Sequence, residues 1–278
     1  MEIQMEIEGR VGGEWNLSSS FYRFPFEKTY DFTEVKDWAI LYFQRVLLLA
    51  LVFYPGSVLF GKKAMKSGGD LNLELRLPLI CWNAALAAFS FFGSFRSLPE
   101  LLRIWSHHGF RSTVCDSRNL RDGVAGVWVW YWVASKPWEL GDTGFLVLRR
   151  RPLSFLHLFH HATVIVNAWF GFIHGASILR WLTNLNYTIH ALMYTYYTLR
   201  AAGYRVSRRL AMFLTSAQIL QLAAGFSVSL YSLAMRLLGE ACHVTYETLA
   251  LTIPTNLVYI ILFCRFFIGT YFKRKRME

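Results

Sequence analysis

Charge is scarce in this chain. Asp, Glu, Lys and Arg supply 17% of its 278 residues, against 54% hydrophobic and 17% aromatic ones. Ordinary soluble domains carry about 25% charged residues, so the composition argues against one. There is no internal repeat, which argues against the many transporter folds built from duplicated halves, and no low-complexity tract. Residues 1–37 are mixed and polar, with no apolar core of the kind a secretory leader needs, so no cleavable signal peptide is expected. Histidine is limited to eight residues and cysteine to four.

What is present is apolar length. Seven runs read as membrane spans, at 38–60, 75–95, 124–146, 154–173, 178–199, 210–235 and 245–272, each near the ~20 residues a bilayer requires. The third is the least clean, because it carries Lys136, Glu139 and Asp142. The sequence thus predicts an all-α polytopic membrane protein, with an N-terminal segment 1–37, a seven-helix domain 38–272 and a basic tail 273–278. The formal net charge of +11 does not point to nucleic acid, since the basic residues sit in short clusters between apolar runs. Fifteen Lys and Arg fall in one set of loops and eleven in the other. The richer set, with Arg149, Arg150, Arg151 and Arg200, is expected to be cytoplasmic. That places the C-terminus in the cytoplasm and the N-terminus in a lumen or outside. Cys115, Cys242 and the glycosylation sequon Asn16-Leu17-Ser18 then share the non-cytoplasmic side, where a disulfide and a glycan are both permitted.

Polar residues recur at one depth. Glu139 lies ten residues before Arg149, His161 ten after Arg151, His190 ten before Arg200 and Gln218 ten after Arg208. At 1.5 Å per residue each is ~15 Å from its basic end. Lys136, Glu139, Asp142 and Thr143 form one helical stripe, and Asn186, His190, Met193, Tyr194 and Tyr197 another. In Phe155-Leu-His-Leu-Phe-His-His161, the residues His157, His160 and His161 share a face at i, i+3 and i+4. Ionisable groups inside a bilayer need each other, or a ligand, as partners. Four helices that place polar groups in one layer point to a reaction chamber open to the basic face.

Two chemistries fit four imidazoles. H-x-x-H-H also occurs in membrane di-iron desaturases and hydroxylases, but two irons need roughly eight imidazoles, and the basic half of the bundle offers only His157, His160, His161 and His190. A mononuclear zinc site is a lesser alternative. The other chemistry is nucleophilic and acid–base: neutral imidazole attacks a thioester or takes a proton near neutral pH, with Glu139 and Asp142 as available carboxylates. The choice between orienting an imidazole and binding Lys136 stays open for those two.

The sequence resembles the fatty-acid elongase family. The resemblance is carried by Lys136-Pro-Trp-Glu-Leu-Gly-Asp-Thr143, His157-Leu-Phe-His-His161, Asn186-Tyr-Thr-Ile-His190, Met193-Tyr-Thr-Tyr-Tyr197 and Thr215-Ser-Ala-Gln218. Leu199-Arg-Ala-Ala-Gly-Tyr-Arg-Val-Ser-Arg208 resembles the branch acting on saturated and monounsaturated chains. The resemblance implies a 3-oxoacyl-CoA synthase of the endoplasmic reticulum membrane. Such an enzyme condenses a long-chain acyl-CoA with malonyl-CoA without a cofactor or metal. It implies six of seven helices around a closed-ended acyl tunnel, with CoA at the cytoplasmic mouth. By motif, His160 is the acylated residue and His190 its partner, with His157 and His161 completing the catalytic set. Lys136, Glu139, Asp142, Asn186, Tyr194, Tyr197, Gln218, Arg149, Arg150 and Arg200 are the expected substrate-binding residues. Cys115 and Cys242 match a lumenal disulfide of relatives. The reductases and dehydratase of an elongation cycle are expected partners, as is the bilayer, and a homodimer is left open.

Overall fold

The computed structural model describes residues 23–49, 52, 54, 56, 75–118, 120 and 123–272. The expected glycosylation site Asn16 and the basic tail 273–278 lie outside the described residues. Among the described residues all regular structure is helical. The elements are α1 (Pro25–Lys28), α2 (Phe32–Trp38), a π-helical turn at Ala39–Phe43, α3 (Arg76–Cys115), α4 (Val124–Trp138), α5 (Gly141–Leu148), α6 (Phe155–Ile173), α7 (Leu179–Ala201), α8 (Arg208–Leu237) and α9 (Tyr246–Tyr271). Local chemistry sets several starts. Asp31 caps α2 by accepting from the Thr33 and Glu34 amides. Ser154, Ser207 and Thr245 cap α6, α8 and α9 by accepting the amides of His157, Leu210 and Thr248, each satisfying a donor that a helix start leaves unpaired.

The long helices close on themselves. Helix α3 packs on α4, α4 on α6, α6 on α9, α9 on α8, α8 on α7, and α7 returns to α3 over its longest contact. Among the described residues four helices, α3, α6, α8 and α9, are long and apolar enough to cross a membrane. The expected third span is not one of them. It is broken into α4 and α5 at Glu139 and Leu140, just after Pro137. Helix α7 is long enough, but it is diluted by Arg180, Asn184, Asn186 and His190.

The expected second span, 75–95, ends too early. Helix α3 runs on to Cys115, past Pro99, with a change of direction at Gly109, whose φ of 76° is a conformation that favours glycine. The polar residues after 95 resemble a loop in sequence, yet several of them meet partners on other elements. Arg96 pairs with Glu27 at 2.6 Å, Ser97 donates to Asn184 Oδ1 at 2.9 Å, and Glu100 lies 3.6 Å from Arg180.

The two ends of the bundle differ. At one end Cys115, closing α3, is disulfide-bonded to Cys242, in the loop between α8 and α9. Beside the bridge the His243 amide donates to Cys115 O at 2.9 Å and the Ser177 amide to His243 O at 2.8 Å. Arg180, only 1% exposed, donates to Thr113 O at 3.0 Å and Asp116 O at 2.6 Å. The basic residues of the α5–α6 loop and the end of α7 gather at the opposite end.

Glu27 fastens the N-terminal segment to the bundle. Its carboxylate accepts from Arg96 Nε and Nη2, Trp128 Nε1 and the Phe24 amide. Burial alone pushes its pKa up, but these donors hold it below the ordinary carboxylate value. A depressed folded pKa contributes stability that is present above the unfolded pKa and lost as pH falls through the folded one. Acid titration of thermal stability therefore shows a loss below the ordinary carboxylate range that Glu27→Gln removes; an unchanged acid limb refutes this role. Removing the Cys115–Cys242 bridge by Cys242→Ser lowers stability by ~2–4 kcal/mol, read as the unfolding midpoint in detergent. Identical midpoints for the variant and the parent would refute the bridge's contribution.

Candidate active site

The Ser154 cap fixes where α6 begins, and so fixes which way its histidines face. His157, His160 and His161 follow at helical spacing and all line one cavity of about 1670 Å³. His190 of α7 reaches the same cavity, as do Glu139, Asp142, Asn186, Tyr194, Tyr197 and Gln218. The four groups that the sequence placed at one depth, Glu139, His161, His190 and Gln218, therefore share one wall-to-wall space.

The corner between α4 and α5 supplies the acidic wall. Lys136, at 1% exposure, donates from Nζ to Glu139 Oε1 at 2.6 Å and to Asn186 Oδ1 at 3.1 Å. Its ammonium also sits 4.8 Å from the Trp132 ring centre. Ser135 Oγ gives Glu139 a second donor at 3.1 Å. Asp142 is held differently: Trp82 Nε1 donates to Oδ1 at 2.7 Å and Tyr194 OH to Oδ2 at 2.8 Å. Gly141 makes that approach feasible, since a Cβ there would fall 2.5 Å from the Trp82 ring. The open question about the carboxylates is thereby resolved. Glu139 binds Lys136, and Asp142 orders an indole and a phenol; neither carboxylate hydrogen-bonds an imidazole.

The four histidines occupy four environments. His157 Nε2 meets Thr143 Oγ1 at 2.8 Å, and Tyr54 OH lies 2.7 Å from that same oxygen. His190 Nε2 meets Asn186 Nδ2 at 3.0 Å. His161, 8% exposed, has a buried Nδ1 without a hydrogen-bond partner among the described residues. His160 makes no hydrogen bond to the described protein through either ring nitrogen; its ring lies 4.9 Å from that of Tyr259 and 5.5 Å from that of His161. Tyr259 is turned by its own bond to Thr163 Oγ1 at 2.6 Å. Among the described residues no three His, Cys, Asp or Glu side chains are grouped so as to hold a metal ion.

Arg149, Arg150, Arg151 and Arg200 border the open end of the cavity, where α5 stops, α6 starts and α7 stops. Arg76 joins them from α3 and donates to Ala201 O at 3.2 Å and Ala202 O at 2.6 Å. Arg205, in the loop after α7, is not among the residues that line the cavity. Lys136 departs from expectation. It does not line the cavity but stands behind Glu139 and Asn186, holding both. Sequence reasoning missed Tyr54, Trp82, Trp132 and Tyr259. Each is an aromatic residue in an apolar run, and no spacing rule separates one that hydrogen-bonds a site residue from one that faces lipid.

The comparisons agree with the resemblance. Residues 39–278 match the family described as ELO: GNS1/SUR4. The chain is 35% identical over 253 residues to the human very long chain fatty acid elongase 6, covering 91% of this chain and 94% of that one. It is 35% identical to the Drosophila melanogaster elongase 6, over 90% of this chain and 79% of that protein. With the human very long chain fatty acid elongase 3 it shares 37% identity over 82% and 83% of the two chains.

The Lys136–Glu139 pair yields a stability prediction. Removing one member of a buried pair costs ~3–5 kcal/mol, because the other charge stays behind without compensation. Lys136→Met is therefore expected to unfold far earlier in detergent than Lys136→Met/Glu139→Gln. If the double variant is as unstable as the single one, the two residues do not act as a pair.

Proposed function

The chain belongs to the ELO (GNS1/SUR4) family, and on that premise we infer that it is a very-long-chain fatty acid elongase working as a 3-oxoacyl-CoA synthase. It joins a long-chain acyl-CoA to malonyl-CoA, releasing CO2 and CoA. The observation that carries this reading is the cavity itself. One space connects four imidazoles to a mouth bordered by Arg76, Arg149, Arg150, Arg151 and Arg200. CoA is polyanionic, so its phosphates suit that mouth, and the thioester then reaches the histidine layer. The ring of α3, α4, α6, α9, α8 and α7 is the expected wall of an acyl tunnel. We read the first span as a seventh membrane helix outside this ring. The resemblance of Leu199–Arg208 to one branch of the family supports saturated and monounsaturated acyl chains as the substrates.

His160 is assigned as nucleophile, because its ring nitrogens hydrogen-bond no partner among the described residues while it lines the cavity. Its lone pair attacks the thioester carbonyl, forming a C–N bond and breaking the C–S bond. The imidazole proton leaves with the thiolate as CoA thiol. Malonyl-CoA enters the vacated mouth and loses CO2. The resulting enolate attacks the acyl-imidazole, and one proton returns the ring to its neutral form. No cofactor and no metal enter this scheme. Elongation needs four reactions, so a reductase, a dehydratase and a second reductase are the expected partners. The endoplasmic reticulum membrane, with the arginine mouth cytoplasmic and the disulfide end lumenal, is the proposed setting.

Incubation of the purified chain with a panel of acyl-CoAs and malonyl-CoA is expected to give 3-oxoacyl-CoA at a rate indifferent to chelators. Acyl-CoA alone releases at most one equivalent of CoA and adds one acyl group to the intact mass, and neither occurs in His160→Ala. Stoichiometric iron with chelator-sensitive turnover would instead support a di-iron desaturase. Condensation without any adduct or CoA release from acyl-CoA alone would replace the covalent step by direct attack.

A further inference from the structure

The hydrogen bonds around Asn186 define the protonation of His190. Trp132 Nε1 donates to Asn186 Oδ1 at 2.7 Å, and Lys136 Nζ donates to the same atom at 3.1 Å. Indole N–H and ammonium groups are donors only. The atom they meet must therefore be the amide oxygen, and a flipped amide would set its NH2 against two donors. The remaining atom, Nδ2, then faces His190 Nε2 at 3.0 Å. An amide nitrogen has protons to give and no lone pair to offer, so His190 Nε2 must accept. In a neutral ring with Nε2 accepting, the proton is on Nδ1. Nδ1 makes no hydrogen bond to the described protein and is not sealed from the cavity that His190 lines.

We propose that Asn186, clamped by Lys136 and Trp132, is a positioning residue that holds His190 as the neutral Nδ1–H tautomer, so that His190 serves as a hydrogen-bond donor and not as a nucleophile or base through Nε2. The inference rests on the condensation reading above and divides its labour. The lone pair that would attack or abstract belongs to His160, while His190 presents a fixed N–H to oxygen that gains charge as the thioester carbonyl is attacked or the enolate forms. No bond forms or breaks at His190 in this role. The clamp also opposes ionisation, since a proton on Nε2 would confront the amide NH2. Glu139 completes the arrangement by holding the Lys136 ammonium against Asn186 at one end.

The test reads the tautomer directly. Protein labelled with 15N-histidine in detergent micelles gives side-chain nitrogen shifts that distinguish Nδ1–H from Nε2–H, and the signals lost in His190→Ala identify the residue. The expected result is a neutral His190 protonated on Nδ1. In Asn186→Asp the new carboxylate can only accept, so the proton moves to Nε2. The kcat for condensation then falls by about 10²-fold with KM little changed, because the lost interaction acts on the transition state. An Nε2–H signal in the unmutated protein overturns the proposal, as does an unchanged His190 signal in Asn186→Asp. Should Asn186→Asp not fold, the spectrum of the unmutated protein still decides. If that protein condenses nothing, the functional reading fails while the tautomer result stands. If it condenses with His190 protonated on Nε2, only this inference fails.

Discussion

A lysine and a glutamate buried side by side govern much of this bundle. Lys136 and Glu139 are 1% and 5% exposed along their side chains, and each costs several kcal/mol, on the order expected for an ion taken out of water, unless the other is present. Their spacing of three residues suits a helix up to that point, and just after Pro137 the helix gives way to a turn at Glu139 and Leu140. The resulting corner turns Asp142 towards Trp82 and Tyr194 and sets Thr143 beside His157. The same ammonium reaches across to Asn186 on α7. One ion pair thereby couples the α4–α5 corner to the histidine of the facing helix.

Around that core, the two ends of the bundle are built for different tasks. The disulfide end is stapled by Cys115–Cys242, by Arg180 on the carbonyls of Thr113 and Asp116 and by Glu27 on Arg96 and Trp128. Those contacts hold loops shut. At the other end Arg149, Arg150 and Arg151 are exposed on a short loop beside the cavity. A braced closed end and a charged open end are what the proposed condensation would use, with anionic substrates entering from one side and the histidines held still.

The chemistry of the site was partly legible in sequence because helical spacing is rigid. His157, His160 and His161 can only share a face, and the ten-residue offsets from the arginines put Glu139, His161, His190 and Gln218 at one depth. What spacing cannot show is which partner each group takes. Glu139 and Asp142 sit on one stripe, three residues apart, yet one binds an ammonium and the other an indole and a phenol. Lys136 looks in sequence like a residue that touches substrate, and in the folded protein it stands behind the wall. The extent of α3 was misjudged for a related reason. Charged residues after position 95 mark the end of an apolar run, but a helix continues wherever its charges find partners on other helices.

The sequence alone determined the helical class, the apolar runs, the basic and cysteine-bearing ends and the four histidines of the site, because each of these depends on composition or on intervals along one helix. The tertiary structure decided the partners: Glu27 with Arg96, Tyr54 with Thr143, Trp82 with Asp142, Trp132 and Lys136 with Asn186. These pairs join residues 50 to 89 positions apart, across helices whose relative rotation follows from packing. Hydrogen-bond direction is fixed only when such atoms meet, and so the roles of His157, His160, His161 and His190, alike in sequence, become distinct only in the folded chain.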